Sequence, residues 1–365
     1  MNNILVLANC IAGLYNFRKE VIKALVDDGY TLYLSYPDKD ERAKYFESIG
    51  CMYVDIPFER RGMNPLDDFK LMKNYIKAIK NIKPVAVLTY TIKPNIYGGI
   101  AAAWCRVPQI ANVTGLGDSL ENPGVLRRLA IALYKIGLRK SRTVFFQNCA
   151  NQAFCIKHGI VRDEQTKCIP GSGVNTNYHT YQEYPDEGTI KFLFIARLLK
   201  DKGTDEYLEA AKALKAKYPN TEFQILGHIE GNYSNQIEEL TKAGFINYLG
   251  ATSDIRPFLG KVHCTVLPSY HEGLSNVNLE SAANGRPVIT TNVPGCRETI
   301  DDGITGLLCE PHSAKSLIDA IDRFMRIPHE IKATMGRSGR EKMKWEFDRE
   351  IVVKAYLEEI KLLSL

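Results

Sequence analysis

Two glutamates eight positions apart, Glu272 and Glu280, stand at the ends of the stretch EGLSNVNLE. On a helix this spacing places the two carboxylates about 12 Å apart along the axis, which is too far for them to share a proton. Paired-carboxylate glycosidase chemistry needs its two groups within about 10 Å of each other across a sugar. The two acids are therefore interpreted as separate contacts to one long ligand.

The place of this stretch in the chain favours a ligand that contains phosphate. Glu272 follows the apolar run CTVLP, so a helix that starts there would present partially positive backbone N–H groups at the end of a strand. Gly273 would let a ligand approach the backbone, and Leu274 and Ser275 are assigned to the same site. A nucleotide-sugar fits this pattern: Glu280 would accept hydrogen bonds from a ribose diol, and Glu272 from the transferred sugar.

Two cations follow another apolar run in the stretch FLFIARLLKDKG. Arg197 directly follows the predicted strand, and Lys202 comes five residues later. Together they could hold a diphosphate and stabilise it as it leaves, which glycosyl transfer requires. The alternative is a pair of surface cations near an acid such as Asp201.

The order of elements predicts two α/β domains. Apolar runs alternate with helical patterns from NNILVL to TVFFQN, which indicates a parallel sheet covered by helices on both faces. Residues 170–190 show no period and are rich in Gly, Pro, Asn and Tyr, as expected of a linker. The alternation then resumes from FLFIAR to GLLC, and a final amphipathic helix follows. The expected architecture is two doubly wound domains that bind a ligand in a crevice at their strand ends.

Charge and cysteines limit the partners. The formal net charge is +5, but residues 1–171 hold 24 Lys and Arg against 15 Asp and Glu. The segment between Arg127 and Arg142 is basic and amphipathic, so it fits either an anionic membrane surface or a core-packed helix with a solvated face. No nucleic-acid-binding motif accompanies this charge. The nine cysteines form no C-x-x-C pair and are expected to be reduced and mostly buried.

Other candidate residues lie in the first half. Gly13 and Asn16, in the stretch CIAGLYNFR, could approach a diphosphate, although a plain strand-to-helix turn is an equal alternative. Lys93 could hold an acceptor phosphate or be a surface lysine. Asp38 and Asp40 form a D-x-D pattern that is interpreted as a helix start, so no obligatory metal or other cofactor is expected. The first residues lack the features of a signal peptide, and no apolar run of membrane-spanning length occurs, which predicts a cytoplasmic protein.

The chain resembles a known family of enzymes. The stretches IARLLKDKG and SYHEGLSNVNLESAANGRPVITTNVPGCRETI are similar to the donor-site motifs of family 4 of the retaining glycosyltransferases, which have the GT-B fold. The stretches LYNFR, TYTIKPNIYGGIAAAWCRVP and TGLG resemble the bacterial branch that adds N-acetylhexosamine to undecaprenyl-diphosphate-linked sugars. The resemblance implies two Rossmann-like domains facing across a cleft. These are residues 1–175 for the acceptor and 176–345 for the donor, with residues 346–365 as a helix that returns to the first domain.

The resemblance also implies residue roles. Arg197 and Lys202 would bind the donor diphosphate, Glu280 the ribose, and Glu272 the sugar. Many members of the family carry a histidine in the loop after the fourth strand of the first domain, whereas this chain reads ANVTGLG. Asn112 or Thr114 could occupy that space, and Thr114 is assigned to the acceptor.

The sequence therefore predicts a retaining, metal-independent transferase at the inner face of the cell membrane. It would move a sugar from a UDP-sugar to a lipid-diphosphate-linked saccharide in the assembly of a surface polysaccharide such as capsule or lipopolysaccharide. Nucleic acid is not an expected partner. Two alternatives remain open: a nucleotide-sugar epimerase of the same fold, and a non-catalytic scaffold that docks on membranes.

Overall fold

The computed structural model describes residues 2–59, 62, 64–116 and 124–363. The chain divides into two compact units. The first comprises Met1–Ser172 and Arg349–Leu365, and the second comprises Gly173–Asp348. The boundaries expected from the sequence, at residues 175 and 345, lie within a few residues of this division.

The described part of the first unit contains one parallel sheet. Its strands are β1 (Asn3–Leu7), β2 (Thr31–Ser35), β3 (Met52–Tyr53), β4 (Ala86–Tyr90), β5 (Gln109–Val113), β6 (Thr143–Phe146) and β7 (Thr166–Cys168). They are arranged in the order β3-β2-β1-β4-β5-β6-β7. β1, β4, β5 and β6 are buried along their whole length because helices cover the sheet. The sequence did not predict β3 and β7, since such short edge strands carry too few residues to show a pattern.

The helices of this unit connect successive strands. They are α1 (Ile11–Asp27), α2 (Ala43–Ser48), α3 (Pro65–Ile82), α4 (Gly99–Cys105), α5 (Val125–Leu138) and α6 (Cys149–Lys157), and a π-helical turn, Pro94–Gly98, leads into α4. The stretch CIAGLYNFR is therefore mostly helix and not a loop, because α1 begins at Ile11. Helix α1 packs its apolar face, which includes Leu14, Ile22 and Leu25, into the core of the first unit.

The second unit repeats the plan with six parallel strands among its residues, all of which are described. These are β8 (Ile190–Ile195), β9 (Thr221–Leu226), β10 (Asn247–Tyr248), β11 (Cys264–Leu267), β12 (Val288–Thr291) and β13 (Gly306–Cys309), in the order β10-β9-β8-β11-β12-β13. Its helices are α7 (Thr204–Lys217), α8 (Ser234–Lys242), α9 (Arg256–Leu259), α10 (Asn276–Ala283), α11 (Ala314–Arg326) and α12 (His329–Glu346). The expected α/β class and doubly wound sheets are confirmed.

The last helix, α13 (Arg349–Lys361), belongs to the first unit. Arg349 donates to the carbonyl of Asn16 at 3.0 Å and to the carboxylate of Glu20 at 2.8 Å, both on α1. The Tyr356 hydroxyl accepts from Asn112 at 2.9 Å. The sequence predicted one helix over residues 346–365, and its start is wrong: α12 ends at Glu346 and α13 starts at Arg349. The chain is interrupted there because the Phe347 carbonyl accepts from Val174 instead of continuing a helix.

The cysteines follow the expectation in part. All nine cysteines are described and none forms a disulfide, and five of them are buried. Cys149 and Cys168 are exposed, however, and their Sγ atoms lie 3.0 Å apart, where the start of α6 meets β7. These two thiols are accessible to solvent, unlike the small apolar residues that the sequence suggested.

Two buried basic side chains fasten the 170–190 segment to the second unit. The Arg286 guanidinium, fully buried, donates to the carbonyls of Leu259, Gln182 and Glu183. Burial lowers its pKa to about 10. Arg286 therefore replaces the missing secondary structure of this segment with charge-assisted hydrogen bonds.

His263 makes the second attachment. Its Nδ1 accepts from the Lys191 amide at 3.1 Å, so the proton is on Nε2, which donates to the Asp186 carbonyl at 3.2 Å. Burial lowers the pKa of His263. A proton added to Nδ1 would face the Lys191 N–H and break the contact.

This geometry predicts a loss of stability in mild acid. Unfolded chains take up a proton on His263 near the ordinary pKa of 6.5, and the folded chain does so only at lower pH. Between these two pKa values the unfolded state binds more protons, so the free energy of unfolding falls as pH falls below about 6.5. We expect His263→Gln to have a flatter dependence of Tm on pH from 7.5 to 5.5 than the wild type. Parallel curves for the two proteins would contradict this assignment.

Candidate functional site

Lys202 and Glu272, seventy positions apart, meet at one edge of the second sheet. The Lys202 Nζ donates to Glu272 Oε1 at 2.8 Å, and the two side chains are only 16% and 20% exposed. Their loops follow β8 and β11, which pair in parallel. Parallel neighbours end at the same edge of a sheet, so the two loops lie side by side. The predicted diphosphate cation and the predicted sugar acid are thus brought together.

Backbone contacts hold these two loops close. Lys202 ends a short 3-10 helix, Lys200–Lys202, and the Asp201 carbonyl accepts from the Tyr270 amide at 2.8 Å. Gly203 has a φ of +72°, and a Cβ there would lie 2.2 Å from the Pro268 carbonyl oxygen. Only glycine permits this approach. Gly203 was not predicted from the sequence as a site residue. Its position directly after Lys202 is the feature that could have indicated it.

The helix predicted to start at Glu272 begins later in the chain, so the prediction that one helix carries both Glu272 and Glu280 is wrong. Helix α10 starts at Asn276, and Ser275 is its N-cap, with Oγ accepting from the Asn278 amide at 3.3 Å. Glu272 and Gly273 therefore belong to a loop, and the helical distance between the two glutamates does not apply. Serine is a strong N-cap residue, which explains the later start. Leu274 is buried in the core below this loop.

A second glycine, Gly295, packs directly against the backbone of the Glu272 loop. Gly295 has a φ of +84°, and a Cβ there would lie 2.4 Å from the Glu272 carbonyl oxygen. The Gly295 carbonyl accepts from the Ser275 amide at 2.8 Å. Cys296 lies fully buried beside them, and burial together with the Glu272 charge raises its pKa to about 12. The loop after β12 thus fixes the backbone of Glu272.

Glu280 lies on α10 and faces His179. Its Oε1 is 3.9 Å from His179 Nε2, and Asn284 donates to His179 Nδ1 at 3.1 Å. Arg340 in turn donates to the His179 carbonyl and, at 2.8 Å, to that of Ala283. His179 is buried in the segment expected to be a plain linker. The sequence gave no periodic signal for it, and only the fold brings it to Glu280.

Arg197 differs from its expected setting. It lies two residues beyond the end of β8 and is half-exposed, with its Nη1 3.2 Å from Glu230 Oε2. It is therefore a surface cation beside an acid, as the alternative reading held, although the acid is Glu230 and not Asp201. Its binding of diphosphate stays a prediction.

The candidates of the first unit lie on separate elements. Gly13 is in the first turn of α1, where the Ile11 amide donates to Asp38 Oδ1 at 3.0 Å. Asn16 is exposed one turn later, and its carbonyl accepts from Arg349. The carboxylate of Asp38 thus already occupies the N-terminal end of α1.

Lys93 and Thr114 have local partners. The Lys93 Nζ is 2.9 Å from Asp68 Oδ1, with the two side chains 15% and 13% exposed, so Lys93 is not a surface lysine. With the Gln147 amide oriented so that both of its ends are satisfied, its nitrogen donates to the Thr114 carbonyl at 3.2 Å. The roles of Lys93 and Thr114 toward an acceptor stay predictions. Part of the loop that follows Thr114, residues 117–123, lies outside the described residues.

The D-x-D pair serves the backbone. Asp40 accepts from the Arg42 amide at 2.9 Å just before α2, and Asp38 accepts from Ile11 of α1. The expected capping of α2 is wrong, because its N-cap is Arg42 and no side chain caps it. Across residues 2–59, 62, 64–116 and 124–363, no group of three or more His, Cys, Asp or Glu is placed to hold a metal ion.

Comparison with known proteins gives the family. The model of the group 1 glycosyl transferases matches residues 181–342, and that of the glycosyl transferase 4-like domain matches residues 4–148. The chain therefore carries a glycosyl transferase 4-like domain followed by a group 1 glycosyl transferase domain. Residues Arg197, Lys202, Glu272 and Glu280 all lie within the group 1 match.

Relatives and solved structures agree with this family. The glycosyltransferase is 28% identical to the N,N'-diacetylbacillosaminyl-diphospho-undecaprenol alpha-1,3-N-acetylgalactosaminyltransferase of Campylobacter jejuni, over 96% of each chain. A crystal structure of a glycosyltransferase from Rickettsia africae superimposes with a TM-score of 0.80 at 20% identity, over 99% of this chain and 98% of the other. The structure of the Anabaena protein HepE, solved with UDP and glucose, superimposes with a TM-score of 0.80 at 19% sequence identity, over the whole of both chains. The GT-B fold is confirmed.

The Lys202 and Glu272 pair should be energetically coupled. Both side chains are mostly buried, so each charge depends on the other more than in solvent. In a double-mutant cycle of Lys202→Met and Glu272→Gln we expect a coupling of about 1–2 kcal/mol in the free energy of unfolding, measured by urea denaturation.

The matched control is Lys344 with Glu341 on α12, whose atoms are as close, at 2.7 Å, but whose side chains are 46% and 56% exposed. The same cycle on this exposed pair should give less than about 0.5 kcal/mol. Equal coupling in the two cycles would refute the claim that the site pair is specially stabilised.

Proposed function

We propose that this glycosyltransferase moves an N-acetylhexosamine from a UDP-sugar to a saccharide linked to undecaprenyl diphosphate, with retention of anomeric configuration. The observation that carries the proposal is the similarity, along nearly the whole chain, to the C. jejuni transferase, whose name gives such an acceptor and such a sugar. An alpha linkage in that relative's product agrees with retention when the donor is an alpha-linked UDP-sugar. The HepE complex with UDP supports a uridine nucleotide.

The second unit supplies groups for the donor in this proposal. The Lys202 ammonium would bind the diphosphate, and Glu272 would accept hydrogen bonds from the sugar hydroxyls. Because the two groups are already in contact, a donor bound there would place its diphosphate beside the cation and its sugar beside the acid. Glu280, oriented by His179, would accept from the ribose diol.

The reaction follows from this arrangement. The bond between the sugar C1 and the diphosphate oxygen breaks, and negative charge develops on the departing diphosphate, where the Lys202 cation stabilises it. Arg197 lies on the same loop and would add to this field. The acceptor hydroxyl attacks the same face of the sugar and passes its proton to a leaving phosphate oxygen. We further propose that no metal is required, because fixed cations do the neutralising and the D-x-D acids are used by the backbone.

Nucleotide selectivity tests the donor half of the proposal. A ligand at a hundred times its dissociation constant adds about 2.7 kcal/mol of stability, which raises Tm by a few degrees. We expect UDP and UDP-N-acetylhexosamines to raise Tm and GDP, ADP and NAD not to, with the effect lost in Glu280→Ala. Glu239→Ala, an exposed glutamate on α8, is the control and should respond as the wild type does.

Turnover assays test the proposed acceptor, the metal independence and the two alternative functions. Transfer to an undecaprenyl-diphosphate-linked saccharide, followed by mass spectrometry in the presence of EDTA, should add one N-acetylhexosamine. Formation of a changed free UDP-sugar without acceptor would indicate the epimerase instead. Normal glycan synthesis in cells that carry Glu272→Ala and Lys202→Met would indicate the scaffold.

A lipid-linked acceptor requires contact with a membrane, and α5 has a suitable surface. Its residues Val125, Leu126, Leu129 and Ile136 are 81%, 59%, 55% and 58% exposed. They recur at helical spacing, and exposed cations flank them: Arg128, Lys135, Arg139 and Lys140. An exposed apolar stripe beside cations suits the headgroup region of an anionic bilayer. Within the described residues, no helix combines the length and apolar character needed to cross a membrane.

Vesicle binding tests this surface. We expect Leu126→Ser with Leu129→Ser to reduce flotation with phosphatidylglycerol vesicles by about tenfold or more, since two apolar side chains no longer insert. The control is Ile331→Ser on α12, 51% exposed, which should not reduce binding. Equal flotation of all three proteins would exclude α5 as the membrane contact.

A further inference from the structure

Arg18 is a buried cation on the core-facing side of α1. It is 3% exposed, and it occupies the position between Leu14 and Ile22 on the apolar face of the helix. Its Nη1 donates to the Phe17 carbonyl at 3.1 Å, and its guanidinium carbon lies 5.2 Å from the centre of the Tyr90 ring. With the Gln147 amide oriented as above, the amide oxygen accepts from Nη2 at 3.0 Å.

The described residues offer this guanidinium no carboxylate. The other buried arginines are better supplied: Arg349 has Glu20, and Arg286 donates to several backbone carbonyls. A buried charge without an opposite charge costs folding free energy, since water is lost and nothing of equal strength replaces it. Arg18 is therefore poorly explained as a purely structural residue.

The Arg18 guanidinium also has an N–H group that can still donate a hydrogen bond to a ligand. In the described part of the chain, no nitrogen of Arg18 is both fully buried and without a hydrogen-bond partner. Among the residues that the structure describes, none accepts a hydrogen bond from Nε of Arg18, so this nitrogen is not sealed from solvent. Nε and Nη2 form the edge of arginine that recognises phosphate oxygens in a two-pronged manner.

The contacts of Arg18 place it where a doubly wound sheet binds ligands. Tyr90 is the last residue of β4, Thr114 follows β5, and Gln147 follows β6. These three strands are neighbours, and their carboxyl ends share one edge. Through Gln147, Arg18 is linked to the carbonyl of Thr114, the residue predicted to contact the acceptor.

We propose that Arg18 binds a phosphate group of the lipid-linked acceptor's diphosphate and thereby sets acceptor affinity. The inference rests on the proposed function for the identity of the diphosphate. The evidence for an anion site at this position is the buried Arg18 charge, which has no carboxylate partner among the described residues. The acceptor is assigned to Arg18 because the donor diphosphate already has Lys202 in the second unit, whereas Arg18 belongs to the first.

Kinetics with each substrate varied in turn test this assignment. In Arg18→Gln we expect the KM for the lipid-linked acceptor to rise about tenfold or more and the KM for the donor to change less than about twofold. Arg18→Lys, which keeps the charge but loses the fork, should fall between Arg18→Gln and the wild type. A rise in donor KM instead would assign Arg18 to the UDP diphosphate and overturn the acceptor assignment.

Thermal stability separates binding from structure. Removing an uncompensated buried charge should leave the Tm of Arg18→Gln equal to that of the wild type or higher. The matched control, Arg349→Gln, removes the ion pair between Arg349 and Glu20 and should lower Tm by several degrees without changing the acceptor KM. If Arg18→Gln lowers Tm as much as Arg349→Gln and leaves the acceptor KM unchanged, Arg18 is structural and the proposal fails.

An anion probe keeps this test independent of turnover. Inorganic pyrophosphate should raise the Tm of Lys202→Met, in which the proposed donor cation is removed, but not that of Lys202→Met with Arg18→Gln. This result without transfer to the lipid acceptor would support the anion site and refute the proposed substrate. Equal stabilisation of both proteins would refute the anion site, whether or not transfer occurs.

Discussion

The parallel pairing of β8 with β11 is the constraint on which the donor site depends. Because these two strands are neighbours at the switch point of the second sheet, their carboxyl-terminal loops must lie side by side. Gly203 and Gly295 let the surrounding backbones approach closely enough for Lys202 and Glu272 to touch. A cation and an acid seventy residues apart thereby become one unit of chemistry.

Charge balance distinguishes the parts of this glycosyltransferase. Arg286 donates to several backbone carbonyls and Arg349 binds the carboxylate of Glu20, and both fasten segments that lack regular structure or return from another part of the chain. Lys202 and Glu272 balance each other at a partly open edge, where a ligand with both phosphate and hydroxyl groups can interact with both. Within the described residues, Arg18 has only the Phe17 carbonyl and the Gln147 amide oxygen as acceptors, and this incomplete set favours a partner outside the chain.

Strong local patterns were sufficient for most of the fold. The apolar runs of β1, β4, β8 and β11 are long enough to predict strands, and their alternation with helical patterns predicts parallel sheets. Local patterns did not give β3 and β7, which consist of two and three residues at the sheet edges. They also misplaced the start of α10, because the N-cap preference of Ser275 outweighs the position of Glu272 after a strand.

The sequence by itself determined the α/β class, a domain boundary placed at residue 175 and the identity of Arg197, Lys202, Glu272 and Glu280 as candidates, because these depend on residue types and short spacings. Only the tertiary structure decided which of them meet. Lys202 pairs with Glu272 while Arg197 pairs with Glu230, His179 reaches Glu280 from an irregular segment, and Lys93 is held by Asp68. Such contacts depend on strand order and on how closely loops approach, and neither is encoded in local periodicity. Only folding shows that Arg18 is buried on the apolar face of α1 with no acid opposite it among the described residues.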